Sequence, residues 1–138
     1  MNSPVTIDAS VFVSAFTPTE PAHQESKAFM LGARKQSIPI IVPVLVLPEI
    51  SAALSRGQGK PELGKAFVQE LKSFPNTTFV DVDETVADLA VDIAANNRLR
   101  GSDAVYAAVA LRFGTELITL DKEQLERLPK VLSVRKPG

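Results

Sequence analysis

Short runs of apolar and β-branched residues alternate along this chain with longer stretches in which apolar positions return every three or four residues. Val5-Thr6-Ile7 is the first such run and suits a strand buried on both faces. Ser10 is placed to N-cap a helix carrying Val11, Phe12, Val13 and Phe16, which ends near Thr17-Pro18 because a proline disfavours helical geometry in the residue before it. Thr19-Glu20-Pro21 restarts a helix, with Ala22, Ser26, Phe29 and Ala33 on one stripe. Ile40-Ile41-Val42 reads as a second strand, followed by a helix over 44–55 with Pro48 in its first turn and a break at Gly57-Gln58-Gly59. Residues 61–74 form an amphipathic pattern on Leu63, Phe67, Leu71 and Phe74. A third strand over 77–82 leads to Asp83, which caps a helix holding Val86, Leu89, Ala90, Ile93 and Ala94. The helix over 102–113 is made of small apolar residues with almost no polar face, so it is expected to lie buried against the sheet, with Gly114 as its C-cap. A fourth strand over 117–120, a short helix over 122–128 and an edge strand over 131–134 complete the chain.

Strands alternating with helices predict an α/β fold: a three-layer sandwich around a central, mostly parallel sheet of four to five strands, built as a single domain over 1–138. Composition narrows the function classes. The formal net charge of -1 argues against a protein that holds nucleic acid by bulk positive charge, although a metal ion that brings its own charge escapes that objection. The absence of cysteine excludes a disulfide scaffold, a thiolate metal site and a cysteine nucleophile. With His23 the only histidine, a zinc site of several imidazoles is excluded too. Met1-Asn2-Ser3-Pro4 has no basic run or long apolar segment after it, and no stretch approaches membrane-spanning length, so the expectation is a cytoplasmic protein without a signal peptide.

Four carboxylates then share one predicted location. Asp8 ends the first strand, Glu49 lies in the helix after the second, Asp103 opens the buried helix and Asp121 ends the fourth strand. In a parallel sheet, strand ends and the starts of the following helices lie along one edge, where ligands bind. Taken singly, an Asp at a helix start is more often a cap than a ligand, and Asp81 and Asp83 are assigned to capping for that reason. Glu49 and Asp103 resist that reading because their neighbours are mostly apolar. Carboxylates gathered in one pocket repel one another and lose hydration, and a hard divalent cation with oxygen ligands resolves both problems.

Asp8-Ala9-Ser10-Val11-Phe12, Pro48-Glu49-Ile50-Ser51-Ala52-Ala53-Leu54, Ser102-Asp103-Ala104-Val105-Tyr106-Ala107-Ala108 and Leu117-Ile118-Thr119-Leu120-Asp121 resemble, in order and spacing, the motifs of PIN-domain ribonucleases, above all the VapC-type toxins of toxin–antitoxin pairs. Pro48 just before the acid and the scarcity of basic residues near the pocket depart from the pattern. The resemblance implies that Asp8, Glu49, Asp103 and Asp121 are the catalytic acids and the ligands of Mg²⁺ or Mn²⁺, that Ser10 and Thr119 support them, and that the reaction is hydrolysis of an RNA phosphodiester. It further implies an antitoxin partner, a groove between the first two helices that receives it, and a homodimer. Asp8 is the candidate to bridge two ions, and Glu49 the candidate to orient water. Arg56, Lys60, Arg98, Arg100 and Lys122 fall on loops or helix ends and are candidates for phosphate contact or plain solvated surface. His23 is expected to be a bystander, Tyr106 to be packing rather than a platform for a stacked base, and Phe12, Phe16 and Phe29 to be core or groove lining.

Two other classes compete. An Asp-dependent phosphatase usually needs a second Asp two positions after the nucleophile, where this chain has Ser10. A non-catalytic metal- or RNA-binding module with the same fold remains the main alternative to an enzyme.

Overall fold

The computed structural model describes residues 3–138; the Met1-Asn2 start lies outside them. The chain runs β1 (Val5–Ile7), α1 (Ala9–Phe16), α2 (His23–Lys35), β2 (Ile40–Pro43), α3 (Val46–Gln58), α4 (Pro61–Lys72), β3 (Thr77–Val80), α5 (Glu84–Asn97), α6 (Gly101–Phe113), β4 (Glu116–Ile118), α7 (Lys122–Arg127) and β5 (Val134–Arg135). The strands form one sheet in the order β3-β2-β1-β4-β5, and every neighbouring pair is parallel. The sheet is therefore wholly rather than mostly parallel, with the fifth strand present.

Strand order fixes the layers. The chain steps outward from β1 to β2 to β3, then crosses back to β4 and continues to β5. With right-handed crossovers, α1 to α4 cover one face and α5 to α7 the other. The helix pairs that touch, α1 with α2 and α3, α3 with α4, and α5 with α6, agree with that division. The reversal of direction falls between β1 and β4, which opens a crevice at their carboxyl ends.

The core explains why the middle strands are short and uninterrupted. Ile7, Ile40, Val42, Leu117 and Ile118 are fully buried, and α6 lies against β1, β2 and β4 with Ala104 and the whole segment 106–110 out of solvent. Gly64 brings α4 close to α3: a Cβ there would stand 2.6 Å from the Ser51 carbonyl oxygen.

Several boundaries move from their expected places, each for a local reason. The helix expected from Thr19 begins at His23, because Pro18 and Pro21 lack N–H donors and the intervening chain closes as turns, Glu20 N–H to Thr17 O at 3.0 Å and His23 N–H to Glu20 O at 3.0 Å. The helix expected from Val44 begins at Val46, since the Val44 N–H is used in extending the sheet to Val80 O at 2.8 Å; it then runs through Gly57 and stops at Gly59, which has φ +64°. β4 starts and ends earlier than expected, and β5 begins later, because the Val131 and Leu132 N–H groups both bond Leu128 O and close the end of α7. Ser10 is not the N-cap of α1. The helix starts at Ala9, and Ser10 sits in its first turn with its hydroxyl turned elsewhere.

Candidate metal centre

Asp8 leaves β1 at the crevice. Its backbone N–H bonds Ile118 O on β4 at 2.9 Å, so the residue is pinned between the two central strands. It occupies the N-cap position of α1, yet its side chain makes no capping bond. Instead its Oδ2 accepts from the Ser10 hydroxyl at 2.6 Å and the Thr119 hydroxyl at 3.0 Å. Those hydroxyls are held in turn: Ser10 Oγ accepts from Leu120 N–H at 3.1 Å, and Thr119 Oγ1 accepts from Asp121 N–H at 3.0 Å. Asp8 is 5% exposed, and burial raises its proton affinity above the ordinary range against the pull of those donors.

Glu49 lies on the first turns of α3, directly after Pro48, and is half-buried. Its Oε1 accepts a 2.6 Å hydrogen bond from the phenol of Tyr106, a fully buried residue of α6. Burial raises the Glu49 proton affinity, the Tyr106 hydroxyl lowers it, and the Asp8 charge raises it again. Tyr106 itself is driven far upward by burial and by the Glu49 carboxylate, so it remains a protonated donor.

Asp103, in the first turn of α6, is 5% exposed. Gln124 Nε2 donates to its Oδ1 at 3.1 Å and Arg100 Nε to its Oδ2 at 3.0 Å. Burial raises its proton affinity most, with the Asp121 and Asp8 charges adding to it. Asp121 does cap its helix, accepting from Gln124 N–H at 3.0 Å, and its other oxygen stands 3.6 Å from Arg100 Nη2.

All four predicted acids line one pocket of about 430 Å³, joined by Ser10, Glu20, Arg56, Arg100 and Ser102. Five carboxylates against two guanidinium groups leave it an excess of negative charge. Among the described residues, no group of three or more Asp, Glu, His or Cys side chains is already drawn together as a finished cage for an ion. Asp8 and Glu49 lean on separate donors, whereas Asp103 and Asp121 share Arg100 and Gln124. The donor set nevertheless fits a hard cation in kind: oxygen only, carboxylate-rich, buried and short of positive charge.

Some candidates fall elsewhere. Lys60, Arg98 and Lys122 do not line the pocket; the Arg98 carbonyl instead accepts from Arg127 at 2.6 Å. Asp83 caps α5 through Val86 N–H at 2.9 Å, as expected, whereas Asp81, also assigned to capping, lies two residues before that cap and is exposed. His23, expected to be a bystander to the site, does not line the pocket; its Nδ1 lies 2.9 Å from Ser14 O and ties α2 to α1. Two residues were not legible as site residues. Tyr106 reads as packing because the rest of its helix does, and Gln124 looks like the ordinary partner of an Asp-capped turn, although its side chain turns away to Asp103.

A second concave surface lies between α1, α2 and α4. It has a volume of about 610 Å³ and is lined by Phe16, Met30, Leu31, Phe67, Leu71 and Phe74 among others, with Lys27, Arg34 and Glu70 also present. Phe16 and Phe67 stack there with centroids 4.4 Å apart.

Comparison with known proteins agrees with this fold. The chain's fold is similar to the DNA-bound VapBC of Salmonella typhimurium (TM-score 0.72, 17% identity, all of both chains covered). It is similar to VapBC2 of Rickettsia felis bound to a DNA fragment from its promoter (TM-score 0.73, 14% identity, 98% of this chain and 99% of that one). It is also similar to VapC20 of Mycobacterium tuberculosis, a toxin described as cleaving the sarcin–ricin loop (TM-score 0.71, 16% identity, 88% of this chain and 94% of that one). No curated protein matches it in sequence. The family model for the PIN domain matches residues 5–131, a span that takes in β1 and its Asp8, the crevice and all four acids, and the chain belongs to the PIN-domain family.

Proposed function

We propose that this protein is a metal-dependent endoribonuclease that hydrolyses RNA phosphodiester bonds and serves as the toxin of a toxin–antitoxin pair. The observation that carries the reading is the acid pocket at the point where the sheet reverses direction, in which Asp8 and Asp103 are buried without capping their helices. Asp8, Glu49, Asp103 and Asp121 would hold Mg²⁺ or Mn²⁺, which when bound stabilises charge on phosphoryl oxygens and lowers the pKa of water. The chain's own part is positioning and proton handling. Ser10 and Thr119 aim Asp8 from one side, and Gln124 aims Asp103 from the other. Where it stands off the metal instead of holding it, Glu49, steadied by Tyr106 and raised in proton affinity by burial, would orient the attacking water and take its proton. Arg56 at the pocket wall meets backbone phosphate.

The apolar groove between α1, α2 and α4 suits an apolar segment of an antitoxin, and the similar structures include toxin–antitoxin complexes. A homodimer and a cytoplasmic location belong to the same reading; no helix among the described residues is long and apolar enough to cross a membrane. One alternative is a PIN-like module that binds RNA without cutting it, favoured by the absence of any group of three or more acids drawn together among the described residues.

The test is cleavage of a labelled RNA pool by purified protein with Mn²⁺ or with EDTA. Asp8→Asn keeps an acceptor for the Ser10 and Thr119 hydroxyls while removing the charge. Wild type should cut only with metal, and Asp8→Asn should fold, lose cleavage and lose the rise in melting temperature that Mn²⁺ gives wild type. Full activity in Asp8→Asn would remove the ligand assignment. RNA binding without cleavage by wild type would favour the alternative.

A further inference from the structure

Arg100 is in a place that local physics disfavours. It holds the N-cap position of α6, with φ -65° and ψ 152°, and makes no side-chain capping bond. An arginine has no acceptor to offer the free N–H groups there, and its charge opposes the positive end of the helix. The side chain is 71% exposed and is free to extend into water. It folds back instead, with Nε 3.0 Å from Asp103 Oδ2 and Nη2 3.6 Å from Asp121 Oδ1. Both partners are acids assigned above to the metal centre, and the guanidinium uses oxygens that an ion would need.

We propose that Arg100 is a resident counter-ion: it neutralises Asp103 and Asp121 while no divalent cation is bound, and it must leave them when one binds. The proposal rests on the metal reading of the acid pocket and adds a competitor built into the chain. It explains how Asp103 and Asp121 are tolerated side by side in a pocket of five carboxylates. Because the pair with Asp103 is mostly solvent-facing on the arginine side, the exchange is a side-chain rotation that leaves α6 in place.

Titration calorimetry with Mn²⁺ alone, on the full chain, tests it. Arg100→Gln should bind Mn²⁺ roughly threefold to tenfold more tightly than wild type, the size expected from releasing two partly exposed ion pairs. It should also melt at a lower temperature in EDTA and gain more from Mn²⁺. Arg100→Lys, a single point charge without the fork, should fall between the two. Arg112→Gln removes a surface arginine paired with Asp83 and should bind Mn²⁺ as wild type does. Unchanged or weaker Mn²⁺ binding by Arg100→Gln overturns the proposal, as does equal tightening in Arg112→Gln. A wild-type chain that binds no Mn²⁺ overturns the metal reading itself, a different result from wild-type binding that Arg100→Gln fails to improve.

Discussion

Tyr106→Phe removes one oxygen from the middle of the molecule and leaves its shape unchanged. The tyrosine is fully buried, and its hydroxyl reaches across from α6 to Glu49 on α3 at 2.6 Å. A hydrogen bond to a charged group contributes about 1.5–3 kcal/mol. Glu49 is half-buried and recovers some hydration once the phenol is gone, which places the loss near the low end, about 1.5 kcal/mol. For a chain of this length that lowers the melting temperature by about 5 °C. The ring still fills its space, so no cavity adds to the cost. The second consequence concerns acid. Burial holds the Glu49 proton affinity above the ordinary range and the Tyr106 hydroxyl lowers it. Without that hydroxyl the affinity rises further, so cleavage that needs ionised Glu49 should lose its acidic limb at a higher pH than in wild type. Melting in EDTA reads the first effect, and RNA cleavage against pH with saturating Mn²⁺ reads the second. A variant that melts with wild type and keeps the acidic limb in place would show the contact to be idle; a limb displaced toward lower pH would reverse the sign of the electrostatics.

Gln124→Leu should separate positioning from stability. It removes the donor to Asp103 together with a buried Oε1 that has no partner among the described residues, so stability should stay within about 1 kcal/mol of wild type while cleavage falls at least about tenfold. A fall in stability without a fall in activity would make Gln124 ordinary core. The metal-free protein should also lose stability as pH rises. Asp8, Glu49 and Asp103 all bind protons more tightly when folded, so their contribution is fully present below the unfolded-chain values of 3.8 for Asp and 4.5 for Glu and disappears as pH climbs through the raised folded values. Denaturant unfolding in EDTA from about pH 4 to about pH 7.5 should show a steeper decline in wild type than in Asp8→Asn; parallel curves would contradict the assignment for Asp8.

The middle of the sheet was readable from the chain because β1 and β2 are short, mostly buried apolar runs, and Val5–Ile7 falls where that pattern puts it. The ends of elements were less readable because remote partners set them. Val44 and Val131 look like candidates for helix and strand, and in the fold their N–H groups go to Val80 and Leu128. The four acids were readable as a set because strand order brings their positions to one edge, and all four line one pocket. Their supports were only partly readable. Ser10 lies close in sequence to the acid it serves, whereas Tyr106 is separated from Glu49 by 57 residues and Gln124 from Asp103 by 21, distances that no local pattern reports.

An aspartate at the start of a helix is the most ordinary of signals, and this chain contains both of its meanings side by side. Asp83 caps α5 through Val86 N–H and is exposed, a placement that stabilises the helix without burying a charge. Asp121 caps α7 and also faces Arg100, so it serves the helix and the pocket together. Asp8 stands at the N-cap of α1, makes no capping bond and is buried beside other carboxylates, which costs the folded state on both counts. The surroundings are arranged to hold that costly charge in one direction: two hydroxyls aim it, two backbone N–H groups aim the hydroxyls, and the crevice between β1 and β4 receives it. A helix start does not require this arrangement; the proposed role of Asp8 as a cation ligand accounts for it. Arg100 at the N-cap of α6 follows the same logic with opposite sign, a charge kept where its own helix disfavours it because the neighbouring acids need it.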